Sequence, residues 1–168
     1  MKNGFTQLLS LAFIFASLSL VAQQKPSPPA TAQAEIDGVN VTINYHQPSA
    51  KGRTIMGELV PYGKVWRTGA NDATTIMFDQ DVEVEGKPLA AGTYALFTIP
   101  GEKEWTIIFN KNAKQWGAFS YKESEDALRV QVESEKTSEF VETFTINIDD
   151  EKITLMWENT EVEFEVEN

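Results

Sequence analysis

The chain has 168 residues, with 14 Lys and Arg against 25 Asp and Glu, one histidine, no cysteine and a formal charge of -11. Such an acidic surface repels nucleic acid and anionic membranes, so neither is expected as a partner. Without cysteine there is no thiol nucleophile, no disulfide and no lipid attached to a thiol, and one imidazole cannot build a zinc site of several histidines.

The N-terminus pairs Lys2 with an apolar run from Leu8 to Val21 and a small residue at Ala22. That pattern predicts a signal peptide over residues 1–22, hence an exported protein that is periplasmic or secreted, with no membrane span after cleavage. Residues 23–33 (QQKPSPPATAQ) are polar and proline-rich and are expected to form an extended, mobile spacer. Residues 34–168 then supply one domain's worth of chain.

Period-two alternation dominates that domain. Val39–Tyr45 alternates apolar residues with Asn40, Thr42 and Asn44, and predicts the first strand. A long irregular segment, Gln47–Asn71, follows it. Strands are predicted at Thr74–Phe78 and Asp81–Glu85, with a turn at Glu85-Gly86-Lys87, and at Thr93–Ile99, which is apolar on both faces and so central. Trp105–Phe109 should return antiparallel to it. A second irregular segment, Lys111–Asp126, precedes strands at Ala127–Val132, Phe140–Ile148, Lys152–Trp157 and Glu161–Val166. The fold class that follows is all-β: an antiparallel β-sandwich, with a jelly roll as one form of it and a closed barrel as the competing closure.

The chemistry concentrates in Pro48–Asn71 (PSAKGRTIMGELVPYGKVWRTGAN), which is locally basic and aromatic within an acidic chain. Lys51, Arg53, Lys64 and Arg67 are opposed there only by Glu58. Arginine's planar fork and lysine's mobile charge suit a carboxylate, phosphate or sulfate, while Tyr62 and Trp66 offer flat faces for a ring. With Asn71 and with Trp116 from the second irregular segment, these residues form the candidate ligand site: Lys51, Arg53, Tyr62, Lys64, Trp66, Arg67, Asn71 and Trp116. By alternation Trp105 and Trp157 belong to the core. Lys51-Gly52-Arg53-Thr54 lacks the spacing of a phosphate loop, and neither Ser49 nor Ser120 sits in a nucleophile elbow that His46 could serve.

The wording of this segment resembles the DUF2911 domain family of exported bacterial proteins of unknown function, common in Bacteroidetes-type bacteria. The resemblance rests on Pro48 with Lys51-Gly52-Arg53, on the run from Leu59 to Asn71, on Ala91 to Pro100, and on Trp105 to Asn110 with Gln115-Trp116-Gly117. It implies a domain identity and an exported habit, and brings no activity or catalytic residue.

Three functions compete. In the first, a small anionic or carbohydrate-like ligand binds through Arg53, Arg67 and a stacking Trp66. In the second, an envelope domain with a structural or protein-interaction task uses the same residues to pin the fold, with Arg53 and Arg67 paired to carboxylates. In the third, a hydrolase or isomerase uses Asp72 for acid/base work beside the basic cluster. The balance leans away from an enzyme; no metal and no cofactor is called for, and a protein partner is not identified.

Overall fold

The computed structural model describes residues 27–168. The expected signal peptide, and residues 23–26 of the expected spacer, lie outside the described residues. Eleven strands follow in order: β1 (Pro29–Ile36), β2 (Val39–His46), β3 (Thr75–Phe78), β4 (Val82–Val84), β5 (Lys87–Leu89), β6 (Gly92–Ile99), β7 (Glu104–Asn110), β8 (Asp126–Glu135), β9 (Val141–Asp149), β10 (Lys152–Glu158) and β11 (Thr160–Glu167).

The nine strands read from alternation are all there, and two were not foreseen. β5 is only three residues long. β1 is the larger correction, because it occupies much of the stretch expected to be a mobile spacer and pairs with β2 along its whole length, from Pro29 opposite His46 to Ile36 opposite Val39. Its alternating residues are Ala30, Ala32, Ala34 and Ile36, and three alanines carry little hydrophobic signal although Ala30 and Ala32 pack on the core. Pro29 is tolerated because it is the first residue of an edge strand. The long irregular segment therefore follows the second strand and not the first.

The antiparallel all-β class holds. The hydrogen-bonded order is β1-β2-β3-β6-β7-β8-β11-β10-β9, one continuous sheet nearly closed into a barrel-like shape, where the sequence had favoured two stacked sheets. Past β2 the chain runs on to reach the far end strand: Phe144 N donates to Pro48 O at 2.9 Å and Ala50 N to Glu142 O at 2.8 Å. The opening residues of the irregular segment thus supply the closure. Between β8 and β11 the ladder is short, limited to Glu135–Glu161 and Ser134–Val162, and the end of β11 pairs instead with β4.

One face of each strand fills the interior with Val41, Ile43, Ile76, Leu96, Phe109, Phe144, Leu155 and Phe164. β6 is central as expected, flanked by β3 and β7 and buried on both faces from Tyr94 to Thr98. Its outer residues Ala95 and Phe97, with Ile108 of β7, are covered by Val65, Ala118 and Tyr121, so the two irregular segments form a partial second layer.

Candidate functional site

The segment 48–71 is tied down along its length. Ala50, Ile55 and Val60 are buried in the main core, and Ile55 and Met56 donate their amides to the Glu158 carboxylate at 3.4 and 3.5 Å. Trp66 exchanges backbone hydrogen bonds with Thr98 at 2.7 and 3.0 Å, which docks it on the end of β6. Beyond it the backbone is forced into unusual shapes. Thr68, fully buried and β-branched, has φ of 54°, and Gly69 and Asn71 have φ of 147° and 60°. A β-branched residue at positive φ is an outlier that persists only where its surroundings over-determine it. Here Thr68 Oγ1 donates to Thr98 Oγ1 at 3.2 Å, and Thr68 O accepts from Thr74 Oγ1 at 2.5 Å.

This contorted backbone borders a pocket of about 320 Å³ where β2 and β10 finish and β9 begins. Lys51, Arg53 and Arg67 line it together with Pro48, Leu59 and Val60, and Trp66 and Trp157 border it from the core. The two guanidinium groups differ. Arg53 is held by main-chain carbonyls, with Nε donating to Ala50 O at 3.0 Å and Nη2 to Ser49 O at 2.7 Å. Arg67 is half-buried, its Nε is shielded from water with no acceptor among the described residues, and burial holds its pKa below the ordinary arginine value. Neither arginine is ion-paired among the described residues, where the ion pairs involve Lys122, Arg129 and Lys152. Residues 1–26 contain no Asp or Glu that could serve instead.

The sequence-derived set divides into several places. Lys51, Arg53, Trp66 and Arg67 converge on the pocket. Trp66 does so from the core: it is 8% exposed, its Nε1 donates to Gly69 O at 3.1 Å, and its ring packs among Trp105, Phe144 and Trp157. It cannot offer a free face for stacking a sugar. Tyr62 and Lys64 are exposed and lie outside the pocket lining. Asn71 stands at its edge, its Nδ2 donating to Ser27 O at 3.4 Å. Trp116 is 58% exposed and borders a separate hollow with Asp72, Ala73 and Thr75. His46 is half-buried at the end of β2.

Among the lining residues outside the sequence-derived set, Leu59 is the exposed large apolar one. It is 46% exposed and lines the same pocket as the three cations, and an apolar residue flanked by Glu58 and Val60 in an irregular segment gives no periodic signal. The second irregular segment is anchored by a polar knot. The Asp126 carboxylate accepts from Asn110 Nδ2 at 2.8 Å, from Tyr121 OH at 2.7 Å and from Arg129 Nε at 2.7 Å, while Arg129 Nη2 donates to Tyr121 OH. Burial, and then the hydrogen bond to Asp126, push the Tyr121 hydroxyl up to about 12. Gly117 N donates to Asn71 O at 3.1 Å and Ala73 N to Gln115 O at 2.9 Å, which stitches the two irregular segments together.

Among the described residues no helix is long and apolar enough to cross a membrane, and no group of three or more His, Cys, Asp or Glu could hold a metal ion. Fold and site together define an all-β, antiparallel, barrel-like domain with a cationic pocket where its long irregular segment meets the end of the sheet. The chain belongs to the family described as Protein of unknown function (DUF2911), whose model matches residues 27–166 and so includes β1. No curated protein and no solved structure matches it.

Proposed function

We propose that this chain is an exported binding protein for a small anion, with its site in the pocket lined by Lys51, Arg53 and Arg67. The observation that carries the reading is Arg67. A guanidinium taken partly out of water, with no carboxylate beside it and Nε without an acceptor among the described residues, is destabilising by itself. Such a charge is retained where a ligand supplies the missing counter-charge, and a planar fork favours a carboxylate or another oxyanion. The strained turn at Thr68–Asn71 supports the reading, since strain of this kind gathers at binding sites. Export is supported by Lys2 and the apolar run from Leu8 to Val21.

A structural task fits part of the same segment. Arg53 bonded to two carbonyls and Trp66 within the core help to hold the barrel end together, and so serve the pocket by shaping it. Asp72 lies at the Trp116 hollow and not in the cationic pocket, which leaves the acid/base reading without a juxtaposed pair. Thermal-shift measurements against carboxylates, phosphate, sulfate and neutral sugars test the proposal. An anion-specific rise in melting temperature that Arg67→Ala abolishes is expected; equal, flat responses in both proteins would overturn it.

A further inference from the structure

We infer that the anion is an organic carboxylate with a compact apolar body, of the size and character of a substituted benzoate; this rests on the anion-binding reading above and specifies its ligand. The pocket has two chemically different parts. Lys51, Arg53 and Arg67 supply its positive charge, whereas its apolar side is the exposed Leu59, backed by the buried Pro48, Val60, Trp66 and Trp157. Leu59 is 46% exposed within this arrangement, so its side chain is available to be covered. Burying it against a ligand is favourable at roughly 25 cal/mol per Å² of apolar area.

Size and polarity narrow the class further. At about 320 Å³ the pocket has room for on the order of ten water-sized groups, more than an inorganic oxyanion fills. Among the described residues that line it there is no Asp, Glu, Asn or Gln side chain. Its side-chain hydroxyls are those of Ser27 and Ser49, and Ser49 Oγ already lies 3.2 Å from Thr143 Oγ1 in a hydrogen bond. The lining side chains are rich in donors but offer few acceptors beyond those two serines, so a polyhydroxylated sugar acid would lack side-chain partners for most of its O–H donors, at a cost for each one buried. A carboxylate on a flat apolar body satisfies both parts: its oxygens face the guanidinium groups and its ring covers Leu59.

Calorimetric titration of the purified protein with benzoate, benzyl alcohol, phosphate and glucuronate tests the inference, with wild type, Arg67→Ala and Leu59→Ser compared and folding checked by circular dichroism. Benzoate is expected to bind at least about tenfold tighter than phosphate or glucuronate. Benzyl alcohol should give no measurable binding, Arg67→Ala should abolish the benzoate signal, and Leu59→Ser should weaken it several-fold. Phosphate or glucuronate binding as tightly as benzoate, or benzoate affinity unchanged in Leu59→Ser, would overturn the inference. If Arg67→Ala still abolishes those equal affinities, anion binding stands and only the apolar body is wrong; if no anion binds the wild type, both fall.

Discussion

The indole of Trp66 stacks on that of Trp157, with ring centroids 5.9 Å apart and planes 17° from parallel. One belongs to the irregular segment and the other to β10, so the stack fastens the loop to the barrel end. Phe144 meets both rings edge-on, at 5.2 Å from Trp66 and 5.9 Å from Trp157. A residue that sequence offered as a ligand platform is therefore a structural post, and the pocket takes its shape from it.

Replacing that post should damage the fold. Trp66→Ala is expected to lose about 3–5 kcal/mol, as large-to-small changes of buried aromatic residues do. Chemical denaturation of the variant checks this; stability within about 0.5 kcal/mol of wild type, the range of ordinary surface substitutions, would contradict the core placement.

Arg67 should behave oppositely. Its buried Nε has no acceptor among the described residues, and a buried unpaired donor is destabilising by about 1–3 kcal/mol. Arg67→Met keeps the aliphatic length and removes that donor, so it should leave stability unchanged or raise it while losing anion binding. Stability gained where function is lost is the usual sign of a site built for a ligand. Melting temperature and calorimetry on the same sample read both quantities.

Gly69 gives a test of the turn. Its φ of 147° is hostile to side chains, and an added Cβ would stand 3.0 Å from His46 O and 3.2 Å from Thr74 Oγ1. Gly69→Ala should destabilise the protein by at least about 1–3 kcal/mol. Gly52, also at positive φ but with open space around its Cβ position, should meet only the left-handed backbone penalty of about 1–2 kcal/mol on replacement by alanine, without the added clash. Denaturant midpoints of the two variants check the ranking.

The Tyr121 hydroxyl, pushed up to about 12 by burial and by its hydrogen bond to Asp126, predicts an alkaline dependence. An unfolded tyrosine loses its proton near 10. Between roughly pH 10 and 12 the unfolded chain binds fewer protons at this site than the folded one, so stability falls as pH rises through that window. Below it the contribution is fully present. Ultraviolet titration of wild type and Tyr121→Phe should show a late phenolate transition that the variant lacks; if the transitions of the two proteins differ only by a tyrosine ionising near 10, the polar knot is not as described.

Much of the barrel was readable because its strands bury one face. Val162, Phe164 and Val166 alternate with glutamates, and the structure buries those three apolar residues. β1 was missed because alanines mark its inner face and prolines precede it, although Ala30, Ala32, Ala34 and Ile36 do keep the period of two. Closure into a barrel-like sheet depends on main-chain bonds between Pro48–Ala50 and Glu142–Phe144, and main-chain bonds leave no trace in side-chain pattern. The site was half readable for a similar reason. The cations were visible as charge, but which of them meet depends on how the segment lies over the barrel end, and there Lys51, Arg53 and Arg67 share a pocket that Tyr62 and Lys64 do not line.

The most direct test of the central claim is the side-chain Nε–H resonance of Arg67 in a nitrogen-edited NMR spectrum, assigned by its loss in Arg67→Lys and followed as benzoate is added. The account predicts a saturable shift of that resonance, with that of Arg129, which is bonded to Asp126 elsewhere, unmoved. An Arg67 resonance that stays in place at saturating carboxylate, or that moves only in step with Arg129, would contradict it.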